Sequence, residues 1–325
     1  MRLSASEKQE IIRIVDRSEL GVNRTLRELG IHKSTFYKWY QVYHQKGPEG
    51  LLPQRKSRRQ WNSIPEVQKQ LVVEVALDYP ELSPRELSVK LTDEQKVFIS
   101  ESSVYRILKA KELITTPSYI LLSASGEFKK KTHFVHEMWQ TDFTYFKILG
   151  WGWYYLSTVL DDYSRYIVHW ELCRSMKIGD VERTVDRAII AAGLLPGQRP
   201  KLLSDNGSCY IAPDLKEYLK FKGVDIIHGR INHPQTQGKI ERYHRSMKNV
   251  IKLDNYFCPQ ELIDAVTEYV NYYNHHRYHE SLDNVTPADV YFGKKEQILR
   301  RREKIKNQNF KYRRALYNTA KLTII

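Results

Sequence analysis

Residues 138–173 have the sequence MWQTDFTYFKILGWGWYYLSTVLDDYSRYIVHWELC, which contains three runs rich in β-branched and aromatic residues. Such residues favour strands. The runs cover residues 138–149, 153–162 and 165–173. Gly150-Trp151-Gly152 separates the first two runs, and Asp161–Ser164 separates the last two. We therefore predict three successive antiparallel strands joined by turns.

Downstream of these strands the pattern alternates between helix and strand. The predicted elements are a helix over 178–193, a strand over 201–205, a helix over 213–222, a strand over 224–229 and a long helix from Gln237. Three antiparallel strands followed by alternating helix and strand match the ribonuclease-H-like α/β architecture. For residues 134–293 we predict an α/β core of this type, with a mixed five-stranded sheet flanked by helices.

The first 50 residues predict an all-α domain of three short helices. Apolar residues recur at near-helical spacing from Ile11 to Leu20, a second segment ends at Gly30, and a third covers 34–43. Helix, glycine-containing turn and helix form the helix-turn-helix pattern, whose last helix enters the major groove of DNA. The DNA-binding residues that this predicts are Lys33, Ser34, Thr35, Tyr37 and Lys38. A helical bundle without a ligand is the alternative.

Two linkers and a second helical domain connect this domain to the core. Residues 51–63 predict a basic linker that follows a DNA backbone. Its candidate DNA contacts are Arg55, Lys56, Arg58 and Arg59. Residues 64–118 predict a second helix-turn-helix-like domain, in which Ser83-Pro84-Arg85-Glu86 is a strong helix start. A structural spacer is the alternative for this domain, and residues 119–133 predict a second linker.

The chain is basic, with a formal net charge of +14, and the excess charge lies at its two ends. Residues 1–60 carry +7 and residues 294–325 carry +9, whereas the middle is nearly neutral. Basic ends suit a polyanion, because each Lys or Arg that neutralises a phosphate releases a counterion. We expect the basic tail, residues 294–325, to contact DNA or a second subunit; a disordered solubilising tail is the alternative.

Cysteine usage and hydropathy limit the class of protein. Cys173, Cys209 and Cys258 form no C-x-x-C pair, which argues against a disulfide scaffold and against a cysteine-based zinc site. No run of about 18 apolar residues occurs, and the first residues lack an apolar signal segment. We therefore expect a soluble, cytoplasmic protein.

Three carboxylates occupy positions that suit catalysis. Asp142 lies within the first predicted strand, Asp205 ends a later strand, and Glu241 lies on the long helix with 35 residues between it and Asp205. Cleavage of a phosphodiester by two metals needs carboxylate oxygens, which hard ions such as Mg²⁺ prefer. We predict that these three residues are catalytic and bind the metals. Taken singly, each could be a turn, surface or structural acid.

A basic face follows Glu241 along its helix. Positions 241, 245, 248 and 252 share one face at helical spacing, and the last three are Arg245, Lys248 and Lys252. One acid beside three cations fits a metal ligand at the edge of a groove that holds DNA phosphate. Arg245 and Lys248 are therefore further predicted DNA contacts, and a solvated amphipathic face is the alternative.

Several segments resemble the DDE motifs of the retroviral-integrase superfamily, and above all those of bacterial insertion-sequence transposases with D,D-35-E spacing. The segments that match these motifs are Trp139-Gln140-Thr141-Asp142, Ser204-Asp205-Asn206-Gly207 and Gly238-Lys239-Ile240-Glu241-Arg242. Two later segments resemble the signature that closes the family's core, namely Tyr273-Asn274-His275-His276-Arg277-Tyr278-His279 and Thr286-Pro287-Ala288. Lys248 matches a basic residue often found seven positions after the glutamate. The retroviral His-His-Cys-Cys zinc module is missing, since no cysteine precedes Cys173.

The resemblance implies a DNA transposase that binds the ends of a mobile element. It implies two divalent ions per active site, Mg²⁺ with Mn²⁺ able to substitute, which serve hydrolysis at the element end and attack by the freed 3′-OH on target DNA. Duplex DNA and further copies of the chain are the implied partners, with no membrane and no small-molecule substrate. The implied location is the bacterial cytoplasm, at the nucleoid. A DNA-binding regulator without catalysis and a hydrolase of RNA–DNA hybrids are the alternatives.

Overall fold

The computed structural model describes residues 4–52, 60–114, 132–195, 197–228 and 237–322. The chain divides into two compact units, Met1–Ser63 and Ile64–Ile325. The candidate DNA contacts of the basic linker, Arg55, Lys56, Arg58 and Arg59, lie outside the described residues.

The first unit is helical, as predicted. It contains α1 (Ala5–Arg17), α2 (Val22–Glu28), α3 (Lys33–Lys46) and a short 3₁₀ helix (Pro48–Leu51). The turn between α2 and α3 needs Gly30, whose φ of +65° lies in the left-handed region that other residues avoid. Ile12, Leu26 and Phe36 are almost fully buried where the three helices meet. Their burial leaves the polar face of α3 to the solvent.

Three further helices open the second unit, namely α4 (Glu66–Asp78), α5 (Pro84–Asp93) and α6 (Glu101–Ala110). The predicted helix start at Ser83 is confirmed. The Ser83 Oγ accepts a hydrogen bond from the Glu86 N–H at 3.3 Å, and the Glu86 carboxylate accepts one from the Ser83 N–H at 3.0 Å. This capping box satisfies two backbone donors that a helix start leaves unpaired. Val72, Leu91 and Val104 form the buried centre of the three helices.

A five-stranded mixed sheet follows, in the order β3-β2-β1-β4-β5. The strands are β1 (Met138–Ile148), β2 (Gly152–Asp161), β3 (Ile167–Cys173), β4 (Lys201–Ser204) and β5 (Ile226–His228). β1, β2 and β3 are antiparallel neighbours, while β4 pairs in parallel with β1 and with β5. The predicted ribonuclease-H-like core, with three antiparallel strands before alternating helix and strand, is confirmed.

Helices cover both faces of the sheet. They are α7 (Ile178–Ala191), α8 (Ser208–Ile211), α9 (Pro213–Phe221), α10 (Gly238–Ile251), α11 (Pro259–His275) and α12 (Pro287–Tyr291). Successive residues of a strand face opposite sides, so Trp139 packs with α7 and α9 while Phe146 packs with α10 and α11. Asp142 shares the parity of Phe146 and therefore lies on the α10 side of β1.

The segment expected as a basic tail forms a 28-residue helix, α13 (Lys295–Leu322). Its basic side chains are partly used within the protein, because the Arg302 guanidinium pairs with the Asp93 carboxylate at 2.6 Å. The Arg313 guanidinium donates to the Phe98 carbonyl at 2.5 Å. The alternating Lys, Arg, Glu and Gln residues of this segment favour a helix, and the contacts with residues 68–98 hold it in place. No helix in the described ranges is long and apolar enough to cross a bilayer.

Candidate active site

Asp142 lies in the middle of β1, opposite Thr158 of β2. Its side chain is 22% exposed, and its Oδ2 lies 3.3 Å from the Nδ1 of the buried His244. The His244 Nε2 lies 3.4 Å from the Thr158 hydroxyl. His244 therefore links the carboxylate of β1 to the neighbouring strand and restricts its orientation. No individual role for His244 is predicted from the sequence, although its position three residues after Glu241 places both side chains near one face of the helix.

Glu241 lies in the first turn of α10 and shares a cavity of about 550 Å³ with Asp142. The cavity is lined by Asp142, Phe143, Thr144, Tyr145, Glu241, His244, Arg245, Lys248, Asn249 and Lys252. Partial burial, and after it the negative charge of Asp142, raise the pKa of Glu241, while Arg245 opposes the shift. Two like charges that face one cavity repel each other, so the site favours a cation between them.

Asp205 directly follows β4, the parallel neighbour of β1. Its Oδ1 accepts a hydrogen bond from the Gly207 N–H at 2.9 Å. Asp205 does not line the cavity of Asp142 and Glu241. Burial, and in addition the charges of Asp205 and Asp142, raise the pKa of the Cys209 thiol. Both aspartates therefore lie near Cys209, on adjacent strands of the sheet.

The three predicted metal ligands are not equally close to one another. Within the ranges that the structure describes, no three His, Cys, Asp or Glu side chains are close enough together to hold one metal ion. Asp142 and Glu241 share a cavity, whereas Asp205 approaches from the next strand. The chemistry of this donor set, carboxylate oxygens with a mutual repulsion, fits a hard divalent cation that keeps some of its waters.

A buried polar network fixes the start of α10 against the sheet. The Gln140 side chain accepts from the Ile240 N–H at 3.1 Å and donates to the Asp162 Oδ1 at 2.7 Å. The Lys239 ammonium donates to the Asp162 Oδ2, also at 2.7 Å. Lys239 and Ile240 precede Glu241 directly, so this network sets the height of the glutamate above β1. The sequence places Gln140, Lys239 and Ile240 in the matched motifs but does not predict how they pair, because their partners lie about 80 to 100 positions away.

Gln237 begins the same helix from a buried position. Its Nε2 lies 3.4 Å from the carbonyl oxygens of Thr141 on β1 and Leu203 on β4. Those two residues each lie one or two positions before a predicted metal ligand, Asp142 or Asp205. One amide therefore connects the helix of Glu241 to both aspartate strands.

The predicted DNA contacts fall in two places. Arg245 and Lys248 line the cavity of Asp142 and Glu241, and the Lys248 ammonium lies 4.7 Å from the centre of the Tyr145 ring. Partial burial lowers the pKa of Lys248 from its ordinary value. In the first unit, the predicted contacts are all exposed on α3, namely Lys33, Ser34, Thr35, Tyr37 and Lys38.

Comparison with known families gives matches along most of the chain. Residues 133–234 and residues 222–287 match two family models that are each described as an integrase core domain. Residues 7–59 match a helix-turn-helix domain, and residues 35–108 match a homeodomain-like domain. The integrase core matches contain Asp142, Asp205 and Glu241.

Among curated proteins, the chain is 31% identical over 140 residues to the putative transposase InsK for insertion sequence element IS150 of Escherichia coli K12, covering 43% of this chain and 48% of that protein. It is 22% identical over 301 residues to the transposase for transposon Tn552 of Staphylococcus aureus, covering 83% of this chain and 61% of that protein. The chain thus spans about half of the first relative's length and about three fifths of the second's.

Among solved structures, the magnesium complex of the HTLV-2 integrase catalytic core domain, in its dimeric form, aligns with a TM-score of 0.39 and 18% identity, covering 49% of this chain and 97% of that one. Two integrase core models match consecutive stretches of the chain, and a helix-turn-helix model and a homeodomain-like model match the residues before them. Residues 133–287 therefore match an integrase core domain, and the chain is similar to insertion-sequence transposases.

Proposed function

We propose that the chain is a DNA transposase that binds the ends of a mobile element, cleaves the DNA and transfers the 3′-OH strand into target DNA. The observation that carries this proposal is the cavity between β1 and α10. Asp142 and Glu241 face it from two elements, and Arg245, Lys248 and Lys252 line it as well. Acids for a metal and cations for phosphate are the two kinds of group that phosphodiester chemistry requires.

Asp142, Asp205 and Glu241 are the residues that would hold the metal, with Mg²⁺ as the expected ion, Mn²⁺ as a substitute and two ions per site. When bound, divalent ions activate the attacking oxygen and stabilise the leaving oxygen of a phosphodiester. The side chains of the protein orient the reactants. His244 restricts the rotation of Asp142, and Arg245 and Lys248 hold the phosphate backbone against the cavity. No serine or tyrosine nucleophile is proposed.

Replacement of Glu241 by Gln is expected to stabilise the metal-free protein at neutral pH. The pKa of Glu241 is raised in the folded state, so its ionisation costs stability above the ordinary pKa of a glutamate, about 4.3. The gain should disappear as the pH falls below that value, where both the folded and the unfolded states are protonated. Melting temperatures between pH 4 and pH 8 measure this difference.

The same variant tests the fit of the metal. Millimolar Mg²⁺ should raise the melting temperature of the wild type, because the cation offsets the repulsion between Asp142 and Glu241, and should raise that of Glu241→Gln much less. Glu217→Gln, on the exposed side of α9, is the matched control. Equal Mg²⁺ responses in the wild type and in Glu241→Gln would contradict the assignment of this glutamate as a ligand.

We propose that α3 is the DNA-recognition helix of the first unit. Lys33 and Lys38 are exposed on it, whereas Phe36 of the same helix is buried. A variant with Lys33→Gln and Lys38→Gln should bind duplex DNA more weakly, with a shallower dependence of log K on log salt by about 0.9 per lost phosphate contact. Fluorescence anisotropy across a salt series measures the slope. An unchanged slope would leave α3 as a structural helix.

Purified protein on the DNA that flanks its own gene tests the whole proposal. With Mg²⁺ we expect 3′ ends at the element boundaries and joined strand-transfer products, and neither with EDTA. DNA binding without any product would identify a regulator instead. Cleavage of RNA–DNA hybrids without joined products would identify a hydrolase.

The proposed activity also implies an assembly. Both ends of an element must be cut together, so we propose that the chain acts as a homo-oligomer on DNA, at the nucleoid. Light scattering with and without a duplex that carries two element ends measures the change in subunit number.

A further inference from the structure

A second cavity, of about 480 Å³, lies on the other side of α10, toward the end of α11. The cationic residues of its lining are Arg165, Lys239, Arg242, Arg245 and Arg277, and Glu280 is the acidic one. Such an excess of positive charge in a concave site attracts an anion.

Three of the arginines lack a carboxylate partner. Arg242, Arg245 and Arg277 form no ion pair within 4.0 Å in the described parts of the chain. The Arg242 Nε donates to the Gly238 carbonyl at 2.8 Å, and an Arg277 Nη1 lies 3.4 Å from the Tyr269 hydroxyl. These contacts orient the guanidinium groups and leave most of their donors to a ligand, because a guanidinium has five N–H groups.

Two neutral polar groups of the same cavity also lack partners. Tyr243 is 1% exposed, and its Oη has no hydrogen-bond partner among the described residues. The same holds for the buried Nε2 of His279. Burial, together with the nearby Arg277 and Arg165 charges, lowers the pKa of His279 to about 3, so the ring is neutral at physiological pH. Both atoms have almost no solvent-accessible surface, so a ligand in the cavity would contact the arginines and not these two groups.

We propose that this cavity binds a phosphate of the nucleic-acid backbone, beside the phosphodiester that the Asp142 and Glu241 cavity holds. Arg245 lines both cavities, so a backbone that passes over α10 meets one cavity after the other. Planar guanidinium groups bind phosphate oxygens through paired hydrogen bonds, and three of them converge here. This inference rests on the proposed function, because the proposed transposase activity is what makes DNA the ligand.

The test compares a double variant, Arg242→Gln with Arg277→Gln, with a control of equal charge, Lys216→Gln with Lys220→Gln. The control residues are exposed on α9, on the opposite side of the sheet. Binding of a labelled duplex to the full chain is measured by anisotropy in EDTA, from 50 to 300 mM NaCl. The arginine variant should bind roughly tenfold more weakly, as expected for a lost charge-assisted contact. Its salt slope should be shallower by about 0.9.

The conservative variant, Arg242→Lys with Arg277→Lys, separates charge from geometry. It should recover the salt slope, because the charges remain, and only part of the affinity, because lysine cannot form the paired hydrogen bonds. Melting temperatures of all variants in low salt check that the fold is intact. If the arginine variant unfolds, the lysine variant replaces it in the test. It should then show a partial loss of DNA affinity at the melting temperature of the wild type.

Two results would overturn the proposal. One is an arginine variant that matches the control in affinity and slope, while the wild type binds DNA and cleaves it in Mg²⁺; this leaves the proposed function standing. The other is that inorganic phosphate stabilises the wild type but not the arginine variant, while the salt slopes of DNA binding are equal in the two proteins. The occupant of the cavity would then be a free anion. A wild type that neither binds nor cleaves DNA would instead contradict the proposed function itself.

Discussion

Asp142→Asn should abolish DNA cleavage and strand transfer in Mg²⁺, with a loss of at least about 1000-fold in rate. The change removes one negative charge from the cavity and keeps the size of the side chain. Metal ions contribute several kcal/mol to such reactions, and each 1.4 kcal/mol corresponds to about a factor of ten. DNA affinity in EDTA should stay within about twofold of the wild type, because the predicted DNA contacts lie on α3, on α10 and in the basic linker, and not on β1.

The measurement is a single-turnover assay on end-labelled duplex, which reports nicked and joined products separately. Asp225→Asn is the matched control, since Asp225 is exposed next to β5 and outside both cavities. The control should cleave at the wild-type rate. Normal strand transfer by Asp142→Asn would remove this residue from the active site, and with it the two-metal assignment.

Asp162→Ala should lower the free energy of unfolding by about 3–5 kcal/mol, because it removes one partner of a buried ion pair. The Asp162 side chain is 5% exposed and accepts from the Lys239 ammonium at 2.7 Å, from Gln140 at 2.7 Å and from Thr132 at 2.7 Å. With the carboxylate gone, the Gln140 amide and the Thr132 hydroxyl lose this acceptor. The Lys239 ammonium loses this ion pair but keeps its hydrogen bond to the Asp162 carbonyl at 2.7 Å. The start of α10 would also lose its anchor, so we expect catalysis to fall in the fraction that remains folded.

Urea denaturation, followed by the fluorescence of the strand tryptophans, measures this loss. Asp186→Ala is the control, because Asp186 also joins a lysine and a second polar side chain, Lys222 and Tyr218, but is 32% exposed. An exposed pair of this kind contributes about 1 kcal/mol or less. Equal losses of unfolding free energy in the two variants would show that burial does not increase the contribution of the Asp162 network to stability.

The fold could be predicted from the sequence where the structure of an element depends on its own residues and their near neighbours. The runs around Asp142 are rich in residues that favour strands, and Ser83 begins α5 through a capping box that involves only its near neighbours. Glu241 was found by spacing and resemblance, and the structure places it in a cavity with Asp142. Its catalytic role, like that of Asp205, stays a prediction.

Long-range contacts could not be predicted in this way. Gln140 lies on β1 and Asp162 directly follows β2. Their function depends on Lys239 and Ile240, which the fold brings to them from about 80 to 100 residues away. The tail showed the same limit. Its basic composition predicts a contact with DNA or a second subunit, or else a disordered tail, whereas Arg302 pairs with Asp93 of the same chain.

The long helix α13 has a consequence for the order in which the protein is made. Its Arg302 meets Asp93 across 209 positions, and its Arg313 meets Phe98 across 215. The ribosome releases α4, α5 and α6 long before it has translated these partners, and closing so large a loop costs chain entropy. We expect the surface around Asp93 to remain uncovered through most of synthesis. The group of helices α4, α5 and α6 would then be completed last, after the sheet that follows it in the sequence.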